Sequence, residues 1–153
     1  MTARRNTLAA GTLLAALALP LLVHAEPCQL EIHGNDQMQY DRHELLVSAL
    51  CQEVTLTLRH SGKLPKEAMG HNWVLVKAAD VTAVANAGMG AGLANDYVPP
   101  GDQRVLAHTR VIGGGHSTSV TFPTSILSKG GAYRYLCTFP GHSTTMTGTF
   151  KFG

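Results

Sequence analysis

Glu53-Val-Thr-Leu-Thr-Leu-Arg59 sets apolar Val54, Leu56 and Leu58 against polar Thr55, Thr57 and Arg59. A period of two sends alternate side chains to opposite faces of a strand, so this stretch buries one face and wets the other. Residues 29–33, 71–77, 105–111, 117–123, 131–138 and 147–152 read similarly. Turn signals separate them: Gly34-Asn35-Asp36, Ser61-Gly62, Pro99-Pro100-Gly101, Gly113 to Gly115 and Lys129-Gly130-Gly131. Short strands at this spacing predict an all-β fold, an antiparallel sandwich or Greek-key barrel. One stretch departs from the pattern. Ala78-Ala-Asp-Val-Thr-Ala-Val-Ala-Asn-Ala87 favours helix, so a helix is predicted to cross between strands within residues 78–92.

The chain has 153 residues, 44% of them hydrophobic and 14% charged, which fits one domain with an apolar core. Twelve Lys and Arg face ten Asp and Glu, a balance that excludes a polybasic nucleic-acid surface. The first 25 residues stand apart from the core. Arg4 and Arg5 precede an apolar run over residues 8–23, and Val23-His24-Ala25 ends in the small residues a signal peptidase reads. That run contains Gly11, Thr12 and Pro20 and falls short of the roughly 20 apolar residues a bilayer needs. Residues 1–25 are therefore read as a cleaved signal peptide, residues 26–153 as the mature domain, and the destination as an exported, oxidising compartment without a membrane anchor. There Cys28 and Cys51 can pair across a strand, a turn and a second strand, a closure worth about 3.5 kcal/mol in the chain-entropy account. Cys137 is then left over, and an unpaired thiol in an exported chain needs something to protect it.

Several superficial motifs carry little. Gly88-Met89-Gly90-Ala91-Gly92 looks like a nucleotide loop, but no strand feeds it, and it reads as a helix exit. The informative stretch is Cys137-Thr-Phe-Pro-Gly-His-Ser-Thr-Thr-Met146, which sets Cys, His and Met at C-x4-H-x3-M spacing between two strands. Thiolate, imidazole and thioether together are soft donors that favour copper, and His2Cys with a weak axial Met is the blue-copper arrangement. The loop supplies one His; the best-placed second is His71 in Met69-Gly-His-Asn-Trp73. Two other chemistries use overlapping residues. Cys137 could act as a nucleophile with His142 or His71 as base and Asn72 as orienter, or His and Cys could hold zinc. Neither gives Met146 a role.

Four segments carry a family resemblance: Gly34-Asn-Asp-Gln-Met-Gln39, Leu64-Pro-Lys66, Met69-Gly-His-Asn-Trp-Val-Leu75 and Cys137-Thr-Phe-Pro-Gly-His-Ser143. With them the chain resembles, over nearly all of its mature part, the azurins, small periplasmic blue copper proteins of the cupredoxin family. The resemblance implies an eight-stranded Greek-key β-barrel or sandwich with one helical flap and a Cys28–Cys51 disulfide. It implies a single copper ion with His71, Cys137 and His142 in the trigonal plane, Met146 as weak axial ligand and the Gly70 carbonyl opposite. Asn72 would tie the ligand loops together, and the backbone N–H groups of Asn72 and Phe139 would donate to the Cys137 sulfur. The implied activity is single-electron shuttling by Cu(II)/Cu(I) cycling, not catalysis, by a monomer. Its partners would be periplasmic c-type cytochromes, copper nitrite reductases or amine dehydrogenases, with no nucleic acid among them. They would dock on an apolar patch of Met38, Leu64, Met69, Met89, Phe139 and Pro140 around the surface-reaching ring of His142. Thr145 departs from the family, which carries leucine there. His60 matches a histidine close to the copper, and Trp73 is expected in the core beside Ile32 and Tyr40.

Overall fold

The computed structural model describes residues 28–153; the signal-peptide reading of residues 1–25 lies outside them. Eight strands form two sheets. β1 (Gln29–Gly34), β3 (Glu53–His60) and β6 (Ser117–Pro123) make the smaller sheet, in the order β1-β3-β6. The larger runs β2-β8-β7-β4-β5, from β2 (Glu44–Val47), β8 (Thr147–Phe152), β7 (Tyr133–Leu136), β4 (Val74–Lys77) and β5 (Val105–His108). The alternation in residues 53–59 is the burial pattern of β3: Val54, Leu56 and Leu58 are fully buried between the sheets.

The pairing is not wholly antiparallel. β1 pairs β3 in parallel, and so do β2 and β8, while the other four pairs are antiparallel. The first strands switch sheets: the chain leaves β1, crosses to the other sheet for β2, and returns for β3. A strand that comes back after such an excursion need not reverse direction, as a direct hairpin must. Alternation within a strand reports which face is buried and not which way its neighbour runs.

Three strands are shorter than the sequence pattern predicts, each at the end nearest the candidate site. β4 begins at Val74, because His71 makes an isolated bridge with Ile112 and Trp73 exchanges hydrogen bonds with Thr109. That exchange also ends β5 at His108. β7 stops at Leu136, after which the Cys137 N–H donates to the Met146 carbonyl and closes a loop.

Trp73 fills the centre of the sandwich, its ring 6.0–6.1 Å from those of Phe122, Tyr135 and Phe150. Its Nε1 has no hydrogen-bond partner. Tyr40 packs on Tyr135, and its buried hydroxyl donates to the Asn72 carbonyl, the partner a phenol in a core requires. Helix α1 (Lys66–Met69) is a single turn before Gly70. Helix α2 (Val81–Ala91) is the predicted crossing helix. Val84 packs with Val74, Val76, Val98 and Leu136, so α2 covers the outer face of the larger sheet. Gly88 has a packing reason: a Cβ there would collide with the Tyr97 carbonyl. Gly92, with φ of 71°, then ends the helix. Cys28 and Cys51 form a disulfide that joins the chain just before β1 to the chain just before β3.

Candidate metal centre

The loop after β7 is held by its own backbone. The Cys137 N–H bonds the Met146 carbonyl, the His142 N–H bonds Phe139, and the Met146 N–H bonds His142, at 2.8–3.0 Å. Gly141, with φ of 82°, turns the chain back after Pro140, a conformation side chains resist. This folding brings His142 beside Cys137: Sγ lies 3.7 Å from His142 Nδ1.

The third group arrives from far away in sequence. His71 Nδ1 stands 3.2 Å from His142 Nδ1. Its Nε2 is 2.8 Å from the Asn35 carbonyl, which as a pure acceptor requires the proton on Nε2. The Nδ1 lone pair therefore faces the site. His60 stacks on the same ring, centroids 4.2 Å apart, with its own Nε2–H donating to the Met69 carbonyl and its Nδ1 accepting from Gly62 N–H. Gly34 lies beneath. A Cβ there would lie 2.6 Å from His71 Cδ2 and 3.2 Å from Met146 Cε, so glycine leaves the room both side chains occupy.

His71, Cys137 and His142 thus converge, all buried, with their donor atoms within 4.8 Å of one another. Donors at about 2.0–2.3 Å from one ion span edges of roughly 3–4 Å, the size of the 3.2 and 3.7 Å edges here. Burial pushes both imidazoles down to about 4, so each is a neutral base at neutral pH. Burial also pushes the Cys137 thiol up to about 12, against the pull of backbone N–H groups of Asn72 and Phe139 on its sulfur. A thiol so buried stays protonated and inert towards substrates unless a cation replaces its proton. Such a cluster fits a soft metal ion and argues against a nucleophile.

Close to this triangle lie the two other groups singled out by sequence. The Gly70 carbonyl is 4.0 Å from Cys137 Sγ. Gly70 is boxed in by Lys66, Val111 and Phe139, which a Cβ would strike. Met146 is fully buried, its methyl directed towards Gly34 as the His71 ring is. Asn72 ties the segments together: its Nδ2 donates to Thr138 Oγ1 and to the Asp96 carbonyl, both at 2.7 Å, and its Oδ1 accepts from Thr138 N–H at 2.9 Å.

The chain's likeness to known proteins agrees with the geometry. The sequence model of copper binding proteins, plastocyanin/azurin family, matches residues 26–153. The chain is 55% identical over 138 residues to an azurin of Achromobacter denitrificans, covering 90% of this chain and 91% of that one. It is 51% identical over 142 residues to the azurin of Pseudomonas aeruginosa, covering 93% and 95%. The chain belongs to the plastocyanin/azurin family. A solved azurin isoform from Methylomonas sp. strain J superposes with a TM-score of 0.80 at 48% identity, over 84% of this chain and 99% of that one. The protein is accordingly a blue copper electron carrier and not an enzyme, one that exchanges electrons with redox proteins. Azurins in general are periplasmic.

The residues of the expected patch differ in exposure. Met38, Leu64 and Met89 are 38, 41 and 50% exposed, Pro140 is exposed, and Met69 is half-buried. Phe139 is buried, packed edge-on by Tyr97 and stacked near His142 at 4.6 Å. The ring of His142 does not stand out in solvent: it is 2% exposed. Its Nε2 has no hydrogen-bond partner in the protein and is not fully buried. Phe139 and the neighbouring loop cover the remainder. Sequence reasoning did not find the Asn35 carbonyl, Gly34 or Asp96 as parts of the site. The Gly34-Asn35 pair read as a turn, and nothing in a turn signal announces which carbonyl will face a histidine 36 residues away.

Proposed function

We propose that the chain holds one copper ion between His71 Nδ1, His142 Nδ1 and Cys137 Sγ, with the Met146 thioether and the Gly70 carbonyl as weak groups on either side. The observation that carries this reading is the convergence of two imidazole Nδ1 atoms and one protected thiol at ion-sized spacing. Copper supplies one-electron Cu(II)/Cu(I) chemistry in such a site. The protein's own part is to keep the donors still. Asn72 locks the two ligand segments, the Asn35 carbonyl orients His71, and the N–H groups of Asn72 and Phe139 hold the sulfur, so neither oxidation state asks for rearrangement.

Electrons enter and leave along His142, whose Nε2 is the part of the cluster nearest water. Around it Met38, Leu64, Met69, Met89, Phe139 and Pro140 form a docking face of small apolar area, suited to brief contact and quick release. The partners we propose are periplasmic c-type cytochromes, copper nitrite reductases or amine dehydrogenases, met by a monomer. Residues 1–25 direct export and are removed after about Ala25, which leaves residues 26–153 as the mature domain. X-ray absorption at the copper edge tests the ligand set: two nitrogen scatterers and one sulfur at bonding distance are expected. A shell of oxygen and nitrogen without sulfur would contradict it.

A further inference from the structure

Thr145 is exposed, yet its hydroxyl is engaged: Oγ1 donates to the Met38 carbonyl at 2.8 Å and lies 3.4 Å from the His142 carbonyl. Met38 stands 107 residues away, in the loop between β1 and Tyr40, and adopts φ of 55°, a left-handed conformation that a non-glycine residue enters at a cost. The Met38 N–H donates to the Asn35 carbonyl at 3.2 Å, and that same carbonyl accepts His71 Nε2–H at 2.8 Å. A chain of hydrogen bonds therefore runs from the downstream ligand loop, through Thr145, Met38 and Asn35, to the ring of His71. A leucine at position 145 would have no hydroxyl with which to make the first link.

We infer that Thr145 is a positioning residue for His71: its hydroxyl clips the Gly34–Gln39 loop against the Cys137–Met146 loop and so holds the Asn35 carbonyl on His71 Nε2–H. The inference rests on the reading of His71 as a ligand. Other bonds shape the outer loop from within, Asn35 Oδ1 accepting from the N–H groups of Gln37 and Gln39. Two more, from Ser61 N–H and hydroxyl to the Gly34 carbonyl, fasten its start. The far side, at Met38, is fastened to the ligand loop by Thr145. Without the clip, that side is free to lift, and Met38 loses one reason to stay left-handed.

The test is solvent exchange of the His71 Nε2 proton, followed by NMR in Cu(I)-loaded protein, with the His142 Nε2 proton, which has no protein acceptor, as an internal reference. Thr145→Val keeps the shape and removes the hydroxyl; Thr145→Ser keeps the hydroxyl. Exchange at His71 is expected to quicken about fivefold in Thr145→Val, the factor carried by one ordinary hydrogen bond. Thr145→Ser should return to the wild-type rate, and His142 should be unchanged in both. An unaltered His71 rate in Thr145→Val overturns the proposal, and so does an equal rise in Thr145→Ser, which would make shape rather than hydrogen bonding responsible. The His71 ring signals should also shift when metal is added to the apo protein. Their failure to move overturns the ligand assignment itself, a result separate from the exchange rates.

Discussion

The two halves of the metal cluster are built differently. The downstream half, Cys137 to Met146, closes on itself: four backbone bonds within ten residues set Cys137 and His142 side by side. The upstream half, Gly70 to Trp73, is held from outside. Asn35 takes the His71 ring, Ile112 pairs with its backbone, and Thr109 takes Trp73. Asp96 and Thr138 both take Asn72. A local loop delivers the thiolate and one imidazole, while the whole sandwich delivers the other. The geometry between His71 and His142 is therefore a property of the fold.

Changes in the self-closed half should alter chemistry and spare the fold. Cys137→Ser has the largest expected effect, complete loss of the intense thiolate-to-copper absorption. Its circular dichroism should stay that of the wild type, because serine fits the buried volume and the loop's four backbone bonds remain. Loss of the sheet signal in that variant would erase the distinction between the halves.

Changes in the externally held half should cost stability as well. Asn72→Ala removes three hydrogen bonds at once and leaves Thr138 N–H and the Asp96 carbonyl without a partner. A loss of about 3 kcal/mol in urea unfolding is expected, with weaker copper retention. Gly34→Ala is next. Its added methyl meets the His71 ring at 2.6 Å, so the ring must move, and copper affinity should fall roughly tenfold in a chelator competition. An unchanged affinity would mean that His71 is less tightly boxed than the packing indicates.

The smallest effect sharpens the contrast between donor types. Both histidines, held down to about 4 by burial, are already deprotonated between pH 6 and 8, whereas the Cys137 thiol, held up at about 12, is not. Metal binding across that range should release about one proton, so apparent affinity should rise about tenfold per pH unit. It should fall more steeply as pH drops through 4, where the histidines begin to compete for protons. Calorimetry in buffers of different ionisation enthalpy measures the count; two or more protons near pH 7 would place a charged histidine in the apo site.

What was legible in the sequence follows the same division. C-x4-H-x3-M is local, so the downstream half could be read from residue types and spacing. Val54, Leu56 and Leu58 likewise announced a strand, because burial alternates at the period of the backbone itself. The parallel pairings of β1 with β3 and β2 with β8 left no such mark, since direction depends on which sheet the chain visits in between. The contribution of Gly34 and Asn35 was hidden too. A turn signal describes four residues, and their role depends on a histidine that another strand brings to them. The small exposure of His142 depends on Phe139 folding over it, and a patch counted by residue type does not reveal which member covers which.

The central claim is that two imidazoles and one thiolate meet at a single copper ion. The visible absorption spectrum of the mature protein after one equivalent of Cu(II) tests it most directly. An intense blue thiolate-to-copper band that ascorbate bleaches and oxidation restores is the predicted result. A folded protein that stays colourless with copper bound would show that Cys137 does not reach the metal, and would contradict the account.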